Sequence, residues 1–250
     1  MKKMRTLVVI LSIGIGITKT ISPIPVLAGQ SIKKQSRSSV EMGATKSLTN
    51  AQKKDLFVML DCAMKIFRGD SQFVYDEIGF GDLKDIYSMP GAYWKQYHYY
   101  SSALPMMNIQ VVTEPDPTNF SDDWALVPLV PVSFYLQFYS SVYGVDRREL
   151  EGHLALEAYW IDGEGGRHEG NSLPSFPPLL RQHVYRYRAK EQATSSRFPV
   201  DVDFFYFEPK DGDENREPSL YAIKITRSYP YITPEMRKKK REEEQQKKPD

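Results

Sequence analysis

Val132-Ser133-Phe134-Tyr135-Leu136-Gln137-Phe138-Tyr139-Ser140-Ser141-Val142-Tyr143 alternates its side chains with a period of two, the signature of a β-strand. Val132, Phe134, Leu136, Phe138 and Val142 fall on one side, and Tyr135, Gln137, Tyr139 and Tyr143 on the other. Both sides carry rings. The segment is therefore expected inside a sheet, one face against a helix and the other lining a wet aromatic groove.

Downstream, Gly144 and Asp146 suit a turn, and Gly152 to Ile161 reads as the next strand, with Leu154, Leu156, Ala158 and Trp160 inward. His153 and Glu157 would then share its outer face. Residues 162 to 180, dense in Gly, Pro, Ser and Glu, read as the longest loop. Three strands follow, at His183 to Arg188, Val200 to Phe207 and Leu220 to Arg227, the last two joined by a hairpin connection through Lys210-Asp211-Gly212-Asp213. Met236 to Asp250 reads as a solvated helix or a disordered tail.

Upstream, Asn108 to Thr113 alternates as a strand, and Pro115 and Pro117 end it. Before it stands an aromatic cluster, Tyr93, Trp94, Tyr97, His98, Tyr99 and Tyr100. As a helix it would stack Tyr93 over Tyr97; as a strand it would alternate faces and bury half of its rings. Gly81 to Ser88 reads as a short helix. Thr49 with Gln52 three residues on has the form of a capping box, and Leu56, Met59, Leu60, Ala63, Met64 and Phe67 recur at helical spacing up to Gly69. Cys62 lies beside that stripe, as expected of a half-buried structural thiol.

These elements predict an α+β fold, with one or two N-terminal helices packed on a curved, mainly antiparallel sheet of about six strands. The order resembles cystatin-like and NTF2-like folds in layout only, since no motif of either family is present. One domain over residues 48 to 233 is expected, with a flexible linker at 29 to 47 and a charged tail at 234 to 250.

Lys2, Lys3 and Arg5, the apolar run Leu7 to Ile17, and Val26-Leu27-Ala28 have the form of a secretory signal cleaved after Ala28. The expected location is periplasmic or extracellular, in a bacterial envelope or secreted protein. No second apolar stretch approaches membrane-spanning length, and the single cysteine, Cys62, allows no intramolecular disulfide. The net charge of +1 is uneven. Lys33, Lys34, Arg37 and Lys46 oppose only Glu41 near the start, and residues 234 to 250 hold seven Lys or Arg against five Asp or Glu, so the body between is acidic. An acidic body argues against nucleic acid as a ligand, while the basic ends suit weak contact with anionic surfaces.

No catalytic motif emerges: there is no Gly-x-Ser-x-Gly turn, no His-Glu-x-x-His, no glycine-rich phosphate loop and no cysteine pair. Asp201 and Asp203 share a strand face, where solvated polar positions would look the same as paired acids. Neither a cofactor nor a metal is expected. The remaining signal is aromatic, and Tyr93, Trp94, Tyr97, His98, Tyr100 and Trp124 are the candidate binding residues. The expected function is binding to another envelope or secreted protein, as an assembly factor, secretion accessory or inhibitor. The alternatives are an exported hydrolase whose residues meet only in three dimensions and a carrier of a small apolar ligand.

Overall fold

A computed structural model describes residues 46–119, 121, 123, 125–173, 181–191, 198–209, 217–229 and 233–246. The chain runs β1 (Lys46–Ser47), α1 (Asn50–Arg68), β2 (Asp82–Tyr87), β3 (Lys95–Tyr100), β4 (Met107–Pro115), β5 (Leu129–Tyr143) and α2 (Arg147–His153). It continues with β6 (Leu156–Glu157), β7 (Tyr159–Ile161), β8 (Arg167–Glu169), β9 (Ser172–Leu173), β10 (Gln182–Ala189), β11 (Val200–Phe207), β12 (Ser219–Arg227) and α3 (Pro234–Gln246). The fold is α+β, with three helices and an open ten-stranded sheet in the order β2-β3-β4-β5-β12-β11-β10-β6. β1 and β9 pair beside this path, and every ladder of the sheet is antiparallel except β1 with β5.

The N-terminal helix forms as its sequence predicts. The Thr49 side chain accepts from the Gln52 amide at 3.2 Å while Gln52 Oε1 accepts from the Thr49 amide at 3.0 Å, and Gly69 ends the helix at φ 84°. Leu56, Met59, Leu60, Ala63, Met64, Ile66 and Phe67 are buried against the sheet, where Phe134, Leu136, Phe138, Val202, Phe204, Ile223 and Ile225 meet them. Each large side chain so buried contributes roughly 1.5–3 kcal/mol.

Two segments differ from the sequence reading. Asp82–Tyr87 is a strand, not a helix: it pairs antiparallel with β3, and its register shifts between Leu83 and Asp85. With Lys84 as the extra residue of that bulge, Leu83 opposes Tyr99 and Ile86 opposes Tyr97, so residues three apart share one sheet face and imitate helical spacing. Likewise Gly152 to Ile161 is not one strand. His153 closes α2, whose N-cap Asp146 accepts from the Arg148 amide at 3.2 Å, and only Leu156–Glu157 and Tyr159–Ile161 are extended. Ala158 is accordingly exposed, and His153 and Glu157 share no strand face.

The linker expected at 29 to 47 gives its last two residues to β1, which pairs with Val142 and Tyr143. The loop read at 162 to 180 contains β8 and β9; residues 174–180, the connection at 210–216 and the expected leader at 1–28 all lie outside the described residues. The C-terminal run is helical through Gln246, and Arg237 donates to the carbonyls of Asn119 and Pro117 at 2.5 and 3.4 Å.

Gly81 sits where β2 begins, at φ +107°, and a Cβ there would meet the Tyr100 carbonyl oxygen at 2.2 Å. Neither backbone can yield without breaking the β2–β3 ladder. Gly81→Ala is therefore expected to cost about 2–3 kcal/mol, read as a lower denaturant midpoint at unchanged slope.

Candidate binding surface

The aromatic segment is extended, and alternation sorts its rings. Tyr97 and Tyr99 face the helix and are buried; Tyr97 lies against Phe73 and Tyr75, and Tyr99 donates to the Tyr75 carbonyl at 3.0 Å. Burial pushes both hydroxyls above the ordinary tyrosine range. His98 lies half-buried on the other face, with Nε2 4.0 Å from Asp85. Tyr100 is exposed at the far end of β3. Tyr93 and Trp94 precede the strand, Tyr93 exposed and Trp94 half-buried with its ring 5.7 Å from Tyr87. At roughly 3.3 Å per residue, Tyr100 stands about 20 Å from Trp94. The structure thus splits the candidate cluster: Tyr97 belongs to the core, His98 and Tyr100 lie elsewhere, and Trp124 is outside the described residues.

What the strand pairing does bring together is a set of exposed apolar residues at one end of the sheet. β3 begins at Lys95 opposite Thr113, and Thr113 and Pro115 pair with Pro131 and Leu129. The β2–β3 and β4–β5 connections therefore leave from the same end, on neighbouring strands roughly 5 Å apart. The end of β2 exposes Ile86 and Tyr87 and the connection after it Met89 and Tyr93, each 46–54% exposed, while the second connection exposes Leu126 at 78%. From Ile86 to Trp94 no residue is charged. That run was the available sequence signal for Ile86 and Met89, which aromatic counting passes over; Leu126 lies outside it.

The sheet face away from α1 is polar and internally matched. Arg186 donates from Nε and Nη2 to the two carboxylate oxygens of Asp203 at 2.7 and 2.9 Å, and Arg188 Nε stands 2.8 Å from Asp201. These are direct cross-strand partners of β10 and β11. Asp203 is only 5% exposed, so the solvated-face reading of the two acids is corrected: they are held by arginines, not presented to water. Burial raises the Asp201 carboxyl above its usual range, while Arg188 and Arg186 pull it back.

The main clefts run along α2. One of about 530 Å³ is lined by Lys53, Asp146, Arg147, Arg148, Glu149, Tyr185 and Glu208 among others. Its wall is a network in which Arg147 lies over the Tyr185 ring at 4.2 Å and donates to the Tyr187 hydroxyl at 2.9 Å, which itself donates to Glu151. Tyr185 donates to Glu208 at 2.9 Å, and burial with that carboxylate pushes its hydroxyl up to about 12. A neighbouring cleft holds His153, stacked on Phe57 at 4.5 Å and 2.9 Å from Asp61. Charged walls of this kind suit water and ions better than an apolar ligand.

His168 stacks on Trp160 at 4.1 Å and reaches Asp162 at 2.7 Å, which steadies the β7–β8 hairpin. Cys62 is half-buried and packs against the core. Among the described residues no group of three His, Cys, Asp or Glu side chains could hold a metal ion, and no helix is long and apolar enough to cross a membrane. No protein family matches the chain, and neither does any curated protein or solved structure with which it was compared.

Proposed function

We propose that this chain is an exported envelope or secreted binding protein without intrinsic catalysis, of the assembly-factor, secretion-accessory or inhibitor type. Its contact surface is the end of the sheet that carries Met89, Tyr93, Trp94 and Leu126, and its partner is another envelope or secreted protein. One observation carries the reading: two neighbouring hairpin connections expose large apolar side chains at the same end, although the core has ample apolar surface of its own. Export rests on the form of residues 1 to 28, and weak contact with anionic surfaces on the basic ends.

A second reading, the exported hydrolase, has one contact behind it: Ser172 Oγ stands 2.5 Å from His183 Nε2. Among the described contacts no carboxylate orients that imidazole, whose ring instead stacks on Tyr185 at 4.7 Å. Binding is therefore preferred.

Tyr93→Ala and Trp94→Ala are expected to melt within a few degrees of the parent and to weaken capture of a stoichiometric envelope partner by about 2 kcal/mol or more. Tyr97→Ala, which removes a core ring, should instead lower stability by about 3 kcal/mol. Parallel thermal melts and affinity capture separate the two effects. Unchanged capture by both the Tyr93 and the Trp94 variant would overturn the assignment of this surface.

A further inference from the structure

Across the helix-side face of the sheet, Ile86, Tyr97, Val111, Phe134, Ile225, Val202 and Tyr187 stand opposite one another in a single row through seven strands. Six of the seven are at most 6% exposed, whereas Ile86, at the end of the row, is 46% exposed. The core row therefore runs off the edge of the sheet without a covering neighbour. β2 is the terminal strand, and among the described residues no strand pairs with its outer edge.

Exposed edges are ordinarily blunted by charge, proline or a bulge. The first four residues of β2 have two of these, in Asp82, Lys84 and Asp85 and in the bulge between Leu83 and Asp85. The last two, Ile86 and Tyr87, have neither.

We propose that a second copy of this chain adds its own β2 antiparallel to this edge, about a two-fold axis at Ile86. The symmetry decides the centre. When two identical strands pair antiparallel about an axis normal to the sheet, side chains stay on their own faces, so one residue must meet itself. Centring on Asp82, Lys84 or Asp85 sets like charges directly opposite, which destabilises a pair. A centre at Leu83 falls on the bulge, and one at Tyr87 leaves Ile86 facing Ser88. Centring on Ile86 sets Ile86 against Ile86 of the second copy and Asp85 against its Tyr87. The apolar row then continues without a break from one copy into the other, and the two apolar connections of each copy flank the seam.

The sole cysteine, Cys62, makes the test direct. The purified chain is expected to show twice its 28.8 kDa mass, less any leader removed, by light scattering at micromolar concentration. Ile86→Lys should give a folded monomer that still melts cooperatively, since the side chain is half-exposed in the single chain. In a Cys62→Ser background, Ile86→Cys should oxidise to a covalent dimer, because self-paired strand residues stand within disulfide range, while Lys84→Cys should cross-link far less. A monomeric parent overturns the proposal, whether or not it binds an extended segment of some other protein. So does a dimer that survives Ile86→Lys, or cross-linking that is stronger at Lys84→Cys.

Discussion

Arg227→Ala is expected to destabilise the protein by about 3–5 kcal/mol, the largest effect of any single polar truncation among the described residues. Arg227 is 8% exposed at the end of β12. Its Nε donates to the Phe67 carbonyl at 2.8 Å and its Nη2 to the Ile66 carbonyl at 2.5 Å, both in the last turn of α1. Nη1 donates to the Tyr229 hydroxyl at 2.9 Å, and the guanidinium lies 4.3 Å from the centre of the Phe198 ring. A helix C-terminus attracts a cation through its unpaired carbonyls and its dipole, and burial magnifies both. Removing the guanidinium strips the Phe67 carbonyl of its donor in a place that little water reaches, leaves the Ile66 carbonyl only the Gly69 amide, and opens a void among three aromatic rings. Arg227→Lys keeps the charge but cannot serve both carbonyls in the same planar fork, so it should recover less than half of the loss. Urea denaturation of the three proteins at neutral pH checks the order.

Asp203→Ala is expected to cost about 3–4 kcal/mol, for a different reason. Its two oxygens take a bidentate fork from Arg186, and the carboxylate is nearly inaccessible while the arginine keeps about a third of its side chain in solvent. Truncating the acid leaves a partly buried cation without its bidentate partner, with only the more distant Asp201 to offset it. Truncating the arginine instead leaves a buried anion with Lys224 as its other cross-strand neighbour. The double variant Arg186→Met with Asp203→Leu should recover most of the stability, since neither charge is then stranded. If the double variant is as unstable as Asp203→Ala, packing at that position rather than charge pairing sets the cost.

The parts of this fold that were legible are those in which one local rule decides the outcome. The capping box at Thr49, the stripe from Leu56 to Phe67 and the alternation of β5, β11 and β12 each need only a few neighbouring residues to be read. The bulge at Lys84 defeated the same rule, because an inserted residue resets strand parity and turns period two into an apparent period three. Seven-residue α2 holds a single buried apolar side chain, Leu150, so it has no stripe to read. The two-residue strands β1, β6 and β9 are too short to show any period, β2 read as a helix and β3 was open between helix and strand, which is why about six strands were expected where ten join the sheet.

The acid pair had a legible clue that went unused. Arg186 and Arg188 repeat on β10 with the same spacing as Asp201 and Asp203 on β11, so antiparallel pairing sets each cation opposite one anion. For the aromatic segment, alternation could say that half of its rings would be buried; which half depends on the side that α1 covers. Exposure at a sheet edge is a property of strand order, and strand order is long-range.

That order also fixes when the molecule can be finished. Two antiparallel runs, β2 to β5 and β10 to β12, meet at one seam, where β12 lies beside β5 and Ile225 faces Phe134. The strand that closes the seam is the last of the sheet to be synthesised, and it also brings the guanidinium that α1, made first, requires at its end. A ribosome-bound chain lacking β12 thus has a helix without its terminus partner and a first sheet half with an open inner edge. Such a chain is expected to find no stable stopping point, because contacts separated by 160 residues are still to be made. Closing the seam, rather than coiling α1, is then the step expected to set the pace of folding.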